Sequence, residues 1–175
     1  MRAVFLDRDG VLNQVPVRDG RPYPPEGVEN LKLFPEVPDA LARLKRAGFL
    51  LIVVTNQPDV ARGTQSRGAV EAINAALGAQ LPIDDFFVCW HDDPDQCACR
   101  KPKPGLLLEA AARFGIDLSA SFLVGDRWRD IEAGAAAGCR TIFVDRHYRE
   151  RQPSVEPDFR AVSLEDATTW ILKTA

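Results

Sequence analysis

The sequence predicts an α/β fold, a doubly wound parallel sheet with helices on both faces. Three observations predict it. Short apolar runs alternate along the chain with amphipathic segments of helix length, the pattern of repeated strand–helix units. Ala3 to Leu6 and Leu50 to Val54 are apolar at every position, as strands covered on both faces must be. Polar clusters follow three of the runs directly: Asp7 and Asp9, Thr55 and Asn56, and Asp126. Ligands of such sheets sit beyond the carboxyl ends of the strands, where these clusters fall.

Ala3 to Leu6 reads as the first strand, stopped by Asp7-Arg8-Asp9-Gly10. Residues 12–35 carry Pro16, Pro22, Pro24, Pro25 and Pro35, a loop long enough to rim a site and too short for a cap domain. Val37, Leu41 and Leu44 mark a helix near 37–47, ended by Gly48. Leu50 to Val54 is a second strand running into Thr55-Asn56-Gln57, and a helix near 66–79 follows, weakened by Gly68. Asp85 to Cys89 is a third strand, leading into the polar stretch His91 to Gln96. Pro104 suits the first turn of a helix near 104–114, closed by Gly115. Ser121 to Val124 is a strand ending on Gly125-Asp126. A helix near 129–137 passes through Gly138 to the strand Arg140 to Val144. Residues 146–158 read as a polar loop with no assignable role, and Ser163 with Asp166 starts a helix near 164–173.

The totals fit one domain spanning 1–175, with 46% hydrophobic and 27% charged residues. A formal charge of −3 offers no basic field for nucleic acid. No run approaches the roughly 18 apolar residues of a membrane span. Asp7 sits where a secretion signal would carry its apolar core, so the expectation is a cytoplasmic protein without a membrane partner. Four cysteines in a reducing compartment point to metal or free thiols, not disulfides. Without a cap domain, the expectation is a monomer.

The acid pair at the first strand end needs a compensating charge, because a desolvated carboxylate costs several kcal/mol. A turn-capping role for Asp7 and Asp9 is the plain alternative on that strand alone. Phosphoryl chemistry gives the downstream clusters a common purpose. Two like charges 4 Å apart repel by about 4 kcal/mol at an effective dielectric of 20, so a carboxylate reaches a phosphate dianion only with positive help. A Mg²⁺ on Asp7 and Asp126 with the Lys101 ammonium supplies it. The Thr55 hydroxyl and the Asn56 amide can serve the non-bridging oxygens.

Between Cys89 and Cys99 the chain holds three thiols and an imidazole: Cys89, His91, Cys97 and Cys99. Four such ligands fill the tetrahedron of a structural Zn²⁺, and the polar stretch between them has no core of its own. A polar hairpin with free thiols is the alternative. The zinc loop would extend over 89–103 and aim Arg100 and Lys101, which follow the last cysteine directly. Cys139, after an alanine-rich helix, reads as a small buried residue.

The set Asp7-Arg8-Asp9-Gly10-Val11, Thr55-Asn56-Gln57, Arg100-Lys101-Pro102 and Gly125-Asp126 with Asp130 resembles the haloacid dehalogenase superfamily, in the family's motif order. The resemblance implies that Asp7 is a nucleophile forming an aspartyl-phosphate and that Asp9 acts as general acid and then base. It implies Mg²⁺ held by Asp7, Asp126 and the Asp9 carbonyl, with Asp130 supporting the site. Thr55 and Lys101 would steady the phosphoryl group. Family dehalogenases lack the second acid, so Asp9 favours a phosphatase.

The cysteine loop is similar to that of a capless subfamily acting on D-glycero-D-manno-heptose 1,7-bisphosphate or on histidinol phosphate. Its implied substrate-binding residues are Asn56, Gln57, Arg100 and Arg127, and the implied partner is a small sugar phosphate. Ala61-Arg62-Gly63 and Lys101-Pro102-Lys103-Pro104-Gly105 look like the heptose enzymes. The short His91-to-Cys97 spacing is shared with the histidinol enzymes. Pro58-Asp59 and Trp90 depart from the heptose pattern at the rim that reads the leaving group. Arg18, Arg21 and Arg62 are candidates for a second, remote phosphate, against the plainer reading of solvated surface arginines. A non-enzymatic reading also stands at this point: a receiver-like module phosphorylated on Asp7, or a zinc module binding nucleic acid through Trp90, Arg100, Lys101 and Lys103.

Overall fold

The computed structural model describes every residue from Met1 to Ala175. In chain order it runs β1 (Ala3–Leu6), β2 (Val17–Arg18), β3 (Arg21–Pro22), α1 (Val37–Arg46), β4 (Leu50–Asn56) and α2 (Arg67–Gln80). There follow β5 (Asp85–Cys89), α3 (Gly105–Phe114), β6 (Phe122–Gly125), α4 (Trp128–Ala137), β7 (Arg140–Val144), β8 (Phe159–Ala161) and α5 (Leu164–Thr174). Six strands form one sheet in the order β5-β4-β1-β6-β7-β8, each pair parallel. The chain moves outward from β1 to β5, then returns to pair β6 on the other side. That reversal makes the carboxyl end of β1 the switch point where a crevice opens.

β1 is buried at all four positions and its side chains divide between two cores. Val4 and Leu6 join Leu41 and Leu44 of α1 and Ile171 of α5. Ala3 and Phe5 join Leu107 and Ala110 of α3 and Ala133 of α4. Each large apolar side chain so buried contributes roughly 1.5–3 kcal/mol, which fixes the register of the strand and the position of the acid that follows it. The Asp7 amide continues the ladder by donating to the Val124 carbonyl at 2.9 Å.

The expected doubly wound parallel sheet is therefore observed, and between β1 and α1 the chain carries only a two-rung hairpin and a short 3₁₀ turn. Several details differ from the sequence expectations. The rim loop contains the β2–β3 hairpin, whose two-residue strands are too short to leave an alternation signal. β4 runs through Thr55 and Asn56, which pair with Val88 and Cys89 instead of lying past the strand. The helix expected from Pro104 starts at Gly105, with Pro104 as its cap position. Gly68 falls in the first turn of α2, where Ser66 caps the Ala69 amide at 3.1 Å and the helix interior is untouched. β8 has three residues, one of them exposed, and carries no continuous apolar run.

The loop 146–158 has a structural role that the sequence does not announce. Arg146 Nε donates to the Gly10 carbonyl at 2.9 Å and the Arg149 amide to the Gly20 carbonyl at 2.7 Å. Glu132 of α4 accepts from Arg151 at 2.7 and 3.0 Å and from the amide and hydroxyl of Ser154 at 2.9 and 2.7 Å. The loop thus joins α4, the β2–β3 hairpin and the end of β1.

Candidate active site

Beyond the carboxyl ends of the central strands lies a cavity of about 510 Å³, lined by Asp7, Asp9, Thr55, Lys101 and Asp130 with a ring of arginines. Asp7 ends β1 and Asp126 ends β6, so strand pairing alone brings the two acids side by side. Asp130 sits on the first turn of α4, where its carboxylate accepts from the Arg127 amide at 3.0 Å and faces the positive end of the helix. Carboxylate oxygens of Asp7, Asp126 and Asp130 all lie within 4.8 Å of one another, and all three residues are buried. Gly10 makes this approach possible. It has φ +88°, and a Cβ there would collide with the Asp126 carboxylate.

One ammonium stands among the three acids. Lys101 Nζ lies 2.7 Å from Asp7 and 2.6 Å from Asp130, and donates to the Val54 carbonyl at 2.7 Å. Burial would lower its pKa, but the charges of Asp130 and Asp7 raise it above the ordinary lysine value. Burial pushes Asp7 up to about 6, with Lys101 pulling it down and Asp130 adding to the rise. Asp126 is driven well above the usual carboxylate range by burial and then by Asp7 and Asp130. Both its oxygens are buried, and the neighbouring Tyr148 hydroxyl and the Arg127 charge offset only part of that rise. Three buried acids against one lysine leave negative charge uncompensated, and hard oxygen donors at this spacing fit a divalent cation such as Mg²⁺.

Asp9 lines the same cavity but is held by a different set of partners. Its carboxylate accepts from Arg8 Nε and Nη2 at 3.2 and 3.0 Å, from Asn13 at 3.0 Å and from Gln57 at 2.9 Å. Burial would raise its pKa, but the Arg8 charge and these hydrogen bonds hold it below the usual carboxylate value. Gln57 Nε2 also donates to Thr55 Oγ1 at 2.9 Å, tying the acid to the hydroxyl. The Asn56 side chain clamps the Lys101 backbone, donating to its carbonyl and accepting from its amide, each at 3.1 Å. Asn56 thereby fixes the segment that carries the lysine.

The arginines of the ring are mostly paired. Arg100 contacts Asp93 at 2.7 Å and Asp92 at 3.5 Å, Arg127 is bound to Glu150, and Arg129 reaches Asp93 at 3.2 Å. Arg62 meets Asp92 at 2.6 Å and Asp59 at 3.3 Å. Arg18 stacks on Tyr23 beside a neighbouring cavity. Of the residues expected from sequence, Asp7, Asp9, Thr55, Asn56, Gln57, Arg100, Lys101, Arg127 and Asp130 line the cavity, and Asp126 lies against Asp7 and Asp130. Arg129, Arg149 and Glu150 also line it and were not expected there, nor was the hold of the buried Arg8 and Asn13 on Asp9; their placement depends on tertiary contacts with α2, the rim and the loop 146–158.

The cysteine loop also assembles. Cys89 Sγ lies 3.7 Å from Cys97 Sγ and 3.3 Å from Cys99 Sγ, and His91 Nδ1 is 3.3 Å from Cys99 Sγ and 3.8 Å from Cys89 Sγ. A tetrahedron with Zn–S bonds of about 2.3 Å has edges of about 3.7 Å, so the four atoms fit that ion. The Arg100 amide points at Cys97 Sγ at 3.4 Å, which links the cluster to the residue before Lys101.

A family model described as haloacid dehalogenase-like hydrolase matches residues 23–138. The chain belongs to the haloacid dehalogenase-like hydrolases. The sequence resemblance and the hydrolase class are borne out. Among relatives, the D-glycero-beta-D-manno-heptose-1,7-bisphosphate 7-phosphatase of Bordetella bronchiseptica is 38% identical over 79% of this chain and 78% of its own. The enzyme of the same name from Escherichia coli strain K12 is 34% identical over 98% of this chain and 88% of its own. The crystal structure of the B. bronchiseptica D,D-heptose 1,7-bisphosphate phosphatase complexed with magnesium and phosphate superposes with a TM-score of 0.84 at 32% identity. The match covers 100% of both chains. As a member of this hydrolase family the chain has its acid cluster at the sheet edge where β1 and β6 end.

Proposed function

We propose that this chain is a magnesium-dependent phosphatase that removes the 7-phosphate of D-glycero-D-manno-heptose 1,7-bisphosphate through an aspartyl-phosphate on Asp7. One observation carries the reading: Asp7 is held against Lys101 at the end of β1, with the buried carboxylates of Asp126 and Asp130 beside it and a polar cavity in front. The substrate is taken from the relatives named for that reaction over nearly the full chain.

Asp7, Asp126 and the carbonyl of Asp9 would hold Mg²⁺, with Asp130 supporting them. When bound, the ion neutralises phosphoryl charge and so lets a carboxylate approach. Lys101 Nζ, Thr55 Oγ1 and the Asn56 amide orient the non-bridging oxygens and stabilise their charge in the transition state. An Asp7 oxygen forms a bond to phosphorus as the bond to the sugar oxygen breaks, and Asp9 gives that oxygen its proton. Asp9 then takes a proton from water, whose oxygen attacks phosphorus and releases Asp7 and inorganic phosphate. Asp9 must first acquire a proton despite its pairing with Arg8. Each unit of negative charge on a phosphate about 4 Å away opposes its charge by about 4 kcal/mol at an effective dielectric of 20, which favours protonation once substrate is bound.

Cys89, His91, Cys97 and Cys99 would hold a structural Zn²⁺ that fixes the segment ending in Arg100 and Lys101. Arg100 and Arg127 face the leaving group, and Gln57 sets the position of Asp9. The test is kcat/KM on heptose 1,7-bisphosphate and on histidinol phosphate with Mg²⁺. A ratio of about 100 or more in favour of the heptose is expected. The reverse ratio assigns the chain to histidinol phosphate, and no turnover of any monoester overturns the phosphatase reading.

A further inference from the structure

We propose that Arg149, in the loop 146–158, and Arg21, in the β2–β3 hairpin, form a two-armed anion clamp for a second phosphate on the leaving group. The proposal rests on the phosphatase reading above. It gives the loop 146–158 a place in substrate selection.

Both residues line the catalytic cavity. Every other cation lining it already has a carboxylate within ion-pair distance. Arg21 and Arg149 are exposed, and the side chain of neither has a hydrogen bond or an ion pair. The positive charge not already cancelled in the cavity wall is therefore concentrated on these two side chains.

They are also held together by design of the backbone. The Arg149 amide donates to the Gly20 carbonyl at 2.7 Å, next to Arg21 in the chain. Gly20 adopts φ +76°, and a Cβ there would stand 2.6 Å from Arg149 Cβ, so only glycine lets the two segments meet. Glu132 anchors the other end of the loop through Arg151 and Ser154. Two like charges clipped to one rim repel unless an anion lies between them, and paired guanidinium groups suit a phosphate by their fork of donors. The phosphoryl group under attack is already served by Lys101, Thr55 and the Asn56 amide. The clamp is thus free for a phosphate at the far end of the substrate.

The test measures inhibition of p-nitrophenyl phosphate hydrolysis by heptose 1,7-bisphosphate and by heptose 7-phosphate, which works whether or not either compound is turned over. The ratio of the two inhibition constants reads the distal phosphate alone. The wild-type ratio should favour the bisphosphate by about 10-fold or more, the worth of charge-assisted hydrogen bonds. Arg149→Ala and Arg21→Ala should each bring it to within about 3-fold of unity, and Arg149→Lys should restore part of it. Gly20→Val should lower the ratio with both arginines present, with thermal melting confirming that each variant is folded. A ratio unchanged in the Arg21→Ala/Arg149→Ala double variant, or absent in the wild type, overturns the clamp. Failure to hydrolyse the heptose while the ratio and its loss persist would instead fault the assigned reaction and leave the clamp standing.

Discussion

Arg8 grips the carboxylate of its own chain neighbour, Asp9, with Nε at 3.2 Å and Nη2 at 3.0 Å. Its remaining arm, Nη1, donates to Asn74 of α2 at 2.9 Å, and the whole side chain is buried. A residue between two acids at a strand end thus joins the sheet edge to the helix behind it. Removing one partner of a buried pair leaves the other charge stranded, at a cost of about 3–5 kcal/mol. Arg8→Met should therefore lower unfolding free energy by about 3 kcal/mol in urea titration. Arg8→Lys should recover only part, because one ammonium cannot reproduce the fork. An Arg8→Met variant as stable as wild type would mean that Asn13 and Gln57 suffice to hold Asp9.

Lys101 is the cation shared by Asp7 and Asp130. Lys101→Met keeps the length of the side chain and removes its charge. Loss of a preorganised charged donor to the phosphoryl oxygens should lower kcat by about 10²–10³, in steady-state assays at saturating Mg²⁺. A change confined to KM would show that Lys101 serves ground-state binding alone.

The cysteine cluster should bring about one equivalent of zinc through purification. Stripping it with a chelator should speed hydrogen exchange across residues 89–103 and lower activity even in excess Mg²⁺, because the loop carries Arg100 and Lys101. A zinc-free preparation with native exchange and full activity would contradict a structural metal.

Glu132 gives the loop 146–158 a pH dependence. Hydrogen bonds from Arg151 hold its carboxyl down at about 2, with burial opposing and Ser154 assisting. A depressed folded-state value stabilises above the ordinary glutamate range and is lost as pH falls through the folded value. Wild type should exceed Glu132→Gln in urea midpoint above pH 4.5, and the gap should close as pH falls from 4.5 to about 2. A gap that is constant over that range would place the effect in packing, not in charge.

The sheet and the acid cluster were legible in the sequence for one reason. Ala3–Leu6 and Phe122–Gly125 are short uninterrupted apolar runs, and Asp7 and Asp126 follow them directly, so strand order alone predicts their meeting. The cysteine–histidine cluster was legible because all four of its residues fall between Cys89 and Cys99. Arg8 was not, since nothing local says whether an arginine at a strand end turns to solvent or to a helix 66 residues away. Arg149 and Gly20 were not legible either, because their contact joins segments far apart in the chain, one after β1 and the other after β7, and leaves no spacing pattern. β8 escaped because three residues cannot display a period.

The central claim is that Asp7 carries the phosphoryl group between substrate and water. Rapid acid quench of the enzyme turning over heptose 1,7-bisphosphate with Mg²⁺, followed by peptide mass spectrometry, tests it directly. A phosphoryl group on the peptide containing Asp7, absent from inactive Asp7→Asn, is the expected result; phosphate release by Asp7→Asn at the wild-type rate would contradict it.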